Sequence, residues 1–137
     1  AARPCYTRAL ERGADFVVIT LPHTNETHYL FDREKISRMK KSAVLINIGR
    51  GGIIKEDDLI EALNAGEIAG AALDVFEKEP LPEESALWDM ENVIITPHHS
   101  GLSHRYMDRA IELLIKNANA YLKGGPLPNL VDQKLGY

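Results

Sequence analysis

The chain has 137 residues, of which 45% are hydrophobic and 26% are charged, and its net charge is −4. These values fit one globular domain with a buried core, and the lack of a basic cluster excludes nucleic acid as an expected partner. No apolar run approaches the roughly 20 residues of a membrane helix. The given sequence also does not begin with charged residues followed by an apolar run, the pattern of a secretion signal. The single cysteine, Cys5, excludes an intrachain disulfide and has no recognisable base beside it. We therefore expect a cytoplasmic protein that contacts no membrane.

Apolar runs rich in β-branched or small residues predict four strands, at residues 15–20, 44–48, 68–76 and 92–97. Local patterning predicts one helical turn and three helices, at residues 8–12, 32–39, 55–65 and 104–123. Asp32 and Ser103 are the expected N-caps of the first and last of the three helices, and Gly66 ends the middle one. Because buried strands alternate with helices, we expect a parallel sheet with helices on both faces, with the strand at 44–48 buried on both sides.

Polar side chains follow three of the predicted strands. Arg50 stands among glycines after the second strand, and His98 follows the fourth. Asp74 closes the third strand, and Glu79 lies in the loop beyond it. Ligands of open parallel sheets bind beyond the carboxyl ends of the strands, so these side chains should meet at one edge of the sheet.

The residue types suggest a reaction. The fork of an arginine matches a carboxylate with two parallel hydrogen bonds. A carboxylate beside a histidine orients the ring and favours its protonated form, so that the ring exchanges protons near neutral pH. Arginine, glutamate and histidine together suit reduction of a 2-oxo acid, with hydride supplied by a cofactor. The simpler interpretations are a solvated arginine in a strand-to-helix turn, a solvated glutamate before proline, and a capping histidine.

Three segments, at residues 47–52, 70–80 and 92–98, resemble signature segments of the D-isomer-specific 2-hydroxyacid dehydrogenases. The resemblance implies that Arg50 orients the substrate, that His98 is the catalytic histidine and that Glu79 is its carboxylate partner. It also implies a NAD or NADP cofactor, with Asp74 holding the nicotinamide carboxamide. Six further residues match positions that line the cofactor in this family: Pro22, Thr27, Ile48, Gly49, Ser100 and Gly101.

The other histidines are not expected to be catalytic. His99 stands where many family members carry an apolar residue, so His98 is the preferred candidate of the two neighbours. His23, His28 and His104 match no catalytic position and are expected in loops or on the surface. No set of histidine, cysteine and carboxylate residues has the spacing of metal ligands, so no metal is expected.

The resemblance implies that residues 1–103 are the second half of a dinucleotide-binding domain. Residues 104–137 would be a C-terminal helix and tail that return to a substrate domain. The sequence contains no Gly-x-Gly-x-x-Gly turn of the kind that binds the cofactor pyrophosphate. The expected fold is therefore a partial Rossmann-like, doubly wound parallel α/β sheet that lacks the first βαβ unit and carries a long C-terminal helix.

Three functional hypotheses follow. The favoured one is a piece of a dehydrogenase for a small 2-oxo or 2-hydroxy acid, such as glyoxylate or hydroxypyruvate. The second is an enzyme completed by association with another chain that supplies the missing half. The third is a non-catalytic, dinucleotide-sensing interaction module of the same fold, resembling a corepressor. Homodimers are usual in the family, and we expect the isolated chain to have negligible activity and weak dinucleotide binding.

Overall fold

The computed structural model describes residues 13–134, so the helical turn predicted at 8–12 and Cys5 lie outside the described residues. The chain divides into two compact units, Ala1–His98 and His99–Tyr137. Along the described residues, none of the helices combines the length and apolar character that a membrane crossing requires.

The first unit is built on a four-stranded parallel sheet. In chain order its strands are β1 (Phe16–Ile19), β2 (Val44–Asn47), β3 (Gly70–Leu73) and β4 (Val93–Ile95). The strands are adjacent in the order β1-β2-β3-β4, and each neighbouring pair is parallel. In register, Ile19 lies opposite Asn47, and Asn47 lies opposite Leu73. The α/β parallel sheet predicted from the sequence is confirmed, and the carboxyl ends of its strands share one edge.

The buried core lies on one face of this sheet. Alternate strand residues, among them Val17, Leu45 and Leu73, are buried and belong to one apolar cluster with side chains of the connecting helices. On the opposite face Phe16 and Ile94 are both 67% exposed. The strand predicted to be buried on both sides, β2, is only partly buried on this opposite face, at Val44 and Ile46, because an apolar run does not reveal which face is covered.

Two helices connect the strands of the first unit. Helix α1 (Arg33–Ile36) begins at Asp32, whose carboxylate accepts the Lys35 N–H at 3.0 Å, as predicted. It is shorter than expected and ends in a turn. Helix α2 (Glu56–Asn64) ends before Gly66, which has a φ of +64° as its position after a helix requires. Short 3₁₀ turns at Gly51–Ile53 and Ala86–Asp89 were not predicted.

The second unit contains the long helix α3 (Tyr106–Leu122). Its N-cap is Arg105 and no side chain caps it, so the prediction that Ser103 caps this helix is wrong. Ser103 contributes its backbone carbonyl instead, which accepts the Tyr106 N–H at 2.9 Å. No residue of α3 is buried, and apolar side chains of this helix, such as Met107 at 63% and Leu114 at 67%, are exposed.

Candidate active site

The turn that carries Arg50 is held by Asn47, the last residue of β2. Asn47 is 1% exposed, its side-chain oxygen accepts the Gly49 N–H at 3.1 Å, and its amide donates to the Arg50 carbonyl at 3.0 Å. Both polar atoms of a buried amide are thus used to close the turn. The Arg50 guanidinium donates to the Gly49 carbonyl at 2.8 Å, and the side chain is exposed. Asn47 is the one polar residue in the apolar run 44–48, and no role is predicted for it from the sequence.

Glycine brings the Arg50 turn against the loop that follows β3. A Cβ on Gly51 would lie 1.9 Å from both the carbonyl carbon and the oxygen of Phe76. No other residue type fits there unless one of the two backbones moves. This approach places the Arg50 turn beside the segment that leads from Phe76 to Glu79.

Glu79 and His98 form a directly hydrogen-bonded pair. The His98 Nδ1 atom lies 2.7 Å from Glu79 Oε2, while Glu79 Oε1 accepts the Phe76 N–H at 3.0 Å. Burial pushes the pKa of the Glu79 carboxyl up, but the hydrogen bonds from His98 and Phe76 and the positive charges of His98 and Arg50 outweigh it. The net result is a lowered pKa, so Glu79 is a carboxylate that only accepts hydrogen bonds. It follows that Nδ1 of His98 carries the hydrogen and that Nε2 is left for other partners.

The backbone of His98 has a φ of +51°, in the left-handed region that residues other than glycine seldom adopt. The residue follows Pro97, and its N–H donates to the Thr96 carbonyl at 3.1 Å. The turn therefore redirects the chain immediately after β4 and sends the imidazole toward Glu79. Such backbone conformations persist only where the surrounding structure holds them, and they are frequent at functional sites.

Asp74 lies at the same edge of the sheet and is 3% exposed. Its N–H donates to the Asn47 carbonyl at 3.0 Å, and its Oδ1 accepts the Thr96 hydroxyl at 2.6 Å. A buried carboxyl group needs hydrogen-bond partners to offset the loss of water. The Thr96 hydroxyl supplies one and links the end of β3 to the end of β4.

The residues predicted to line the cofactor are distributed over both units. Thr27 is buried, and its hydroxyl bonds to the Pro22 carbonyl at 2.7 Å and receives the Thr24 N–H at 2.7 Å, so it closes the loop after β1. Ile48 is 42% exposed at the end of β2. A Cβ on Gly49 would lie 2.8 Å from the Leu21 carbonyl oxygen, so packing alone requires glycine there. Ser100 and Gly101 are exposed residues of the second unit.

One cavity of about 350 Å³ joins the three candidate catalytic side chains within the first unit. Its lining includes residues for which no catalytic role is predicted from the sequence. The lining residues are His23, His28, Tyr29, Arg50, Gly51, Gly52, Phe76, Glu77, Glu79 and His98. The neighbouring cavity, of about 600 Å³, shares Glu79 and His98 and is otherwise mainly apolar, with Trp88 in its wall.

Glu77 links three parts of the chain around the first cavity. Its Oε1 accepts the Glu56 N–H at 2.6 Å, its Oε2 accepts the Tyr29 hydroxyl at 3.0 Å, and its N–H donates to Glu56 Oε2 at 3.2 Å. Helix α2 has Lys55 at its N-cap position without a side-chain cap, so Glu77 supplies the missing acceptor from a distant loop. The hydrogen bond and negative charge of Glu77 raise the pKa of Tyr29, which keeps that hydroxyl a donor.

Within residues 13–134, no group of three or more histidine, cysteine, aspartate or glutamate side chains is arranged to hold a metal ion. The polar side chains at this edge of the sheet are those of an arginine, a histidine paired with a carboxylate, and a buried aspartate.

The sequence profile described as the NAD binding domain of D-isomer specific 2-hydroxyacid dehydrogenases matches residues 2–100. The chain belongs to this family. The match covers the whole of the described sheet and each of the strand ends discussed above. It confirms the resemblance that the signature segments had indicated.

Relatives of this chain include glyoxylate/hydroxypyruvate reductase B from Pectobacterium carotovorum, 46% identical over 134 residues, which are 98% of this chain and 42% of that protein. Glyoxylate reductase from Korarchaeum cryptofilum is 41% identical over 122 residues, which are 89% of this chain and 37% of that protein. The chain thus spans about two fifths of the length of these curated relatives.

Solved structures agree with this assignment. A D-isomer specific 2-hydroxyacid dehydrogenase from Xanthobacter autotrophicus, in complex with NADPH and MES, superposes with a TM-score of 0.86 at 40% identity, covering 95% of this chain and 54% of that one. The NADPH-dependent glyoxylate/hydroxypyruvate reductase of Sinorhizobium meliloti, in complex with NADP and sulfate, gives a TM-score of 0.84 at 36% identity. That match covers 95% of this chain and 43% of the reductase chain.

Proposed function

We propose that this chain carries the acid–base centre of an oxidoreductase that transfers hydride between NAD(P)H and a small 2-oxo acid such as glyoxylate or hydroxypyruvate. One observation carries the proposal: the 2.7 Å pair of His98 and Glu79 shares a cavity with Arg50. A guanidinium that binds a carboxylate and an imidazole that delivers a proton are the two groups that reduction of a 2-oxo acid requires from the protein.

The proton comes from Nε2 of His98. Glu79 accepts the Nδ1 hydrogen and fixes the orientation of the ring, so that Nε2–H donates to the carbonyl oxygen of the substrate. Arg50 holds the substrate carboxylate and thereby orients the carbonyl carbon. Asn47 and Gly51 keep the Arg50 turn at its distance from the Glu79 loop. In the reverse direction, Nε2 takes the proton from the hydroxyl group of the 2-hydroxy acid.

The residues at this edge fit the nicotinamide end of a dinucleotide. Ile48 offers a half-exposed apolar side chain, and Asp74 offers a buried carboxyl group one strand away. These are the group types that suit a flat ring with an attached carboxamide, and we propose that they hold it together with Pro22, Thr27 and Gly49. When bound, NADH or NADPH supplies the hydride.

We further propose that residues 1–103 are the second half of a dinucleotide-binding domain and that 104–137 form the helix and tail that return to a substrate domain. Two apolar surfaces support this. Phe16, Val18 and Ile94 are exposed on one face of a parallel sheet, a class of sheet that is normally covered on both faces. Helix α3 likewise exposes Met107 and Leu114. The remaining part of a longer chain, or a second chain in a dimer, would cover such surfaces.

The test is an assay of the intact protein encoded by the reading frame that contains these residues. We expect oxidation of NADH or NADPH, followed by nicotinamide absorbance, on addition of glyoxylate or hydroxypyruvate. The 137-residue chain alone should bind NADH weakly, as measured by nicotinamide fluorescence, and should oxidise none. An intact protein that binds dinucleotide tightly yet reduces no 2-oxo acid would contradict the proposal and favour a dinucleotide-sensing module.

Replacing Arg50 with lysine in the intact protein should raise the KM for glyoxylate by roughly ten- to a hundredfold, because a point ammonium does not reproduce two parallel hydrogen bonds. The affinity for NADH should change little. A matched control is Arg38→Lys, at an exposed arginine after α1 that forms a surface ion pair with Glu34. Equal KM values for the Arg50→Lys variant and the unaltered protein would show that Arg50 does not bind the substrate carboxylate.

A further inference from the structure

The loop that carries Glu79 is exposed, although both of its ends are buried. Phe76 and Leu81 are 7% and 8% exposed, whereas residues 77–80 between them are all exposed. Apolar packing therefore holds the ends of this segment but not the segment itself. The proposed acid–base centre nevertheless needs the Glu79 carboxylate at its distance of 2.7 Å from His98 Nδ1. Hydrogen bonds within the loop have to supply the missing support.

Glu77 provides such support two residues before Glu79. Its Oε1 accepts the Glu56 N–H at 2.6 Å, and its own N–H donates to Glu56 Oε2 at 3.2 Å. Its Oε2 accepts the Tyr29 hydroxyl at 3.0 Å. Glu56 is the first residue of α2 and Tyr29 lies in the connection between β1 and α1, so two separate parts of the fold hold Glu77. We call Glu77, Glu56 and Tyr29 the Glu77 anchor.

The Glu77 anchor contains two features that cost free energy. Tyr29 has a φ of +49°, in the left-handed region that a tyrosine rarely adopts, and its N–H donates to the Gly52 carbonyl at 2.8 Å. Burial raises the pKa of Glu56 and the negative charge of Glu77 adds to this rise, although the N–H of Glu77 opposes it. A strained backbone and two close carboxylates disagree with local preference, and such conflicts concentrate at functional sites.

The two backbones that meet beside Glu77 differ in how they are held. A Cβ on Gly51 would lie 2.5 Å from the Glu77 nitrogen, so the Arg50 turn packs directly against this part of the loop. The Arg50 turn has its own support in the buried Asn47 amide, which bonds to the turn at both of its polar atoms. Loss of the Glu77 anchor should therefore displace Glu79 more than it displaces Arg50.

We propose that Glu77 is a positioning residue that holds the Glu79 carboxylate against His98 for proton transfer. This inference rests on the proposed function and deepens it. The carboxylate of Glu77 is engaged by Glu56 and Tyr29, so its effect on the reaction comes through Glu79. Without the anchor, the exposed loop adopts positions in which Glu79 no longer accepts the Nδ1 hydrogen, and the His98 ring loses the orientation that proton transfer requires.

The test measures kcat and KM for glyoxylate in the intact protein and its variants. Glu77→Ala should lower kcat about tenfold, because a small misplacement of a catalytic group is costly. The KM should stay within about threefold, since Asn47 still holds the Arg50 turn. Glu77→Gln should recover most of kcat, because its amide oxygen accepts the Glu56 N–H and its amide N–H donates to the Tyr29 hydroxyl.

Two further variants separate the anchor from the surrounding surface. Tyr29→Phe removes one of the three hydrogen bonds and should lower kcat by less than Glu77→Ala does. Glu61→Ala is the matched control, because it removes an exposed carboxylate of the same helix α2 that is ion-paired with Arg33 at 2.9 Å. This control should leave kcat within about twofold.

Combination with Glu79→Ala shows whether Glu77 acts through Glu79. In that background Glu77→Ala should lower kcat by less than about twofold, because residues that act as a unit are not additive. A full further loss overturns the positioning role while the proposed function stands, and so does a Glu77→Gln variant as slow as Glu77→Ala. A Glu79→Ala protein with unaltered kcat contradicts the proposed acid–base centre and leaves Glu77 nothing to position, so it overturns both.

Discussion

Replacement of His98 by alanine in the intact protein is expected to lower kcat for glyoxylate reduction by about 10²- to 10⁴-fold, the usual contribution of a positioned general acid. The structure gives the reason: Nδ1 of His98 is engaged by Glu79 at 2.7 Å, which leaves Nε2 as the proton donor to the substrate oxygen. The affinity for NADH, measured by fluorescence titration, should stay nearly unchanged.

The neighbouring His99 offers a control of the same residue type at the next position. His99→Ala should leave kcat within about twofold, because only His98 forms the hydrogen bond to Glu79 and lines the cavity with Arg50. Comparable losses in both variants would point to damage of the turn rather than to loss of a proton donor. Full activity in His98→Ala would show that His98 is not the proton donor and that another group delivers the proton.

The sheet was predictable from the sequence because each strand is an apolar run with a clear end. Proline stops the runs at Pro22 and Pro97, and glycine stops the one before Arg50. The apolar runs did not indicate which face of the sheet is covered by helices. Phe16 and Val17 are equally apolar, yet the first is 67% exposed and the second 7%. Burial depends on which elements lie above each face, and that information is outside the strand itself.

The candidate site was predictable only in part, for a similar reason. Arg50 and His98 follow strand ends and stand out in the sequence. Glu77 does not, because its hydrogen-bond partners Glu56 and Tyr29 are 21 and 48 residues away. His23 and His28 lie against each other and pack their rings on Gly52 and Tyr29. Contacts of this kind are made by the fold and leave no local pattern, whereas a buried asparagine in an apolar strand, such as Asn47, is a signal that could have been used.

Gly51 is the position where a single added methyl group should do most harm to the fold. In Gly51→Ala the Cβ would lie 1.9 Å from the carbonyl carbon and oxygen of Phe76. No rotamer relieves this contact, because the position of a Cβ is set by its own backbone and the atoms it meets are backbone atoms of Phe76. The Arg50 turn and the Glu79 loop must then separate. We expect a loss of about 3 kcal/mol or more in the free energy of unfolding, at the upper end of overpacking effects. Urea denaturation of the 137-residue chain followed by circular dichroism measures it, as a lower midpoint at unchanged slope.

Gly125→Ala provides the matched comparison, since its Cβ would make only an ordinary contact, 3.6 Å from the Ala120 carbonyl oxygen. That variant should stay within about 0.5 kcal/mol of the unaltered chain. In the intact protein Gly51→Ala should also impair substrate binding and proton transfer together, because Arg50 and Glu79 are carried by the two backbones that must part. A Gly51→Ala chain as stable as Gly125→Ala would mean that the two segments lie farther apart than this structure places them. The shared cavity of Arg50 and His98, on which the proposed reaction depends, would then lose its support.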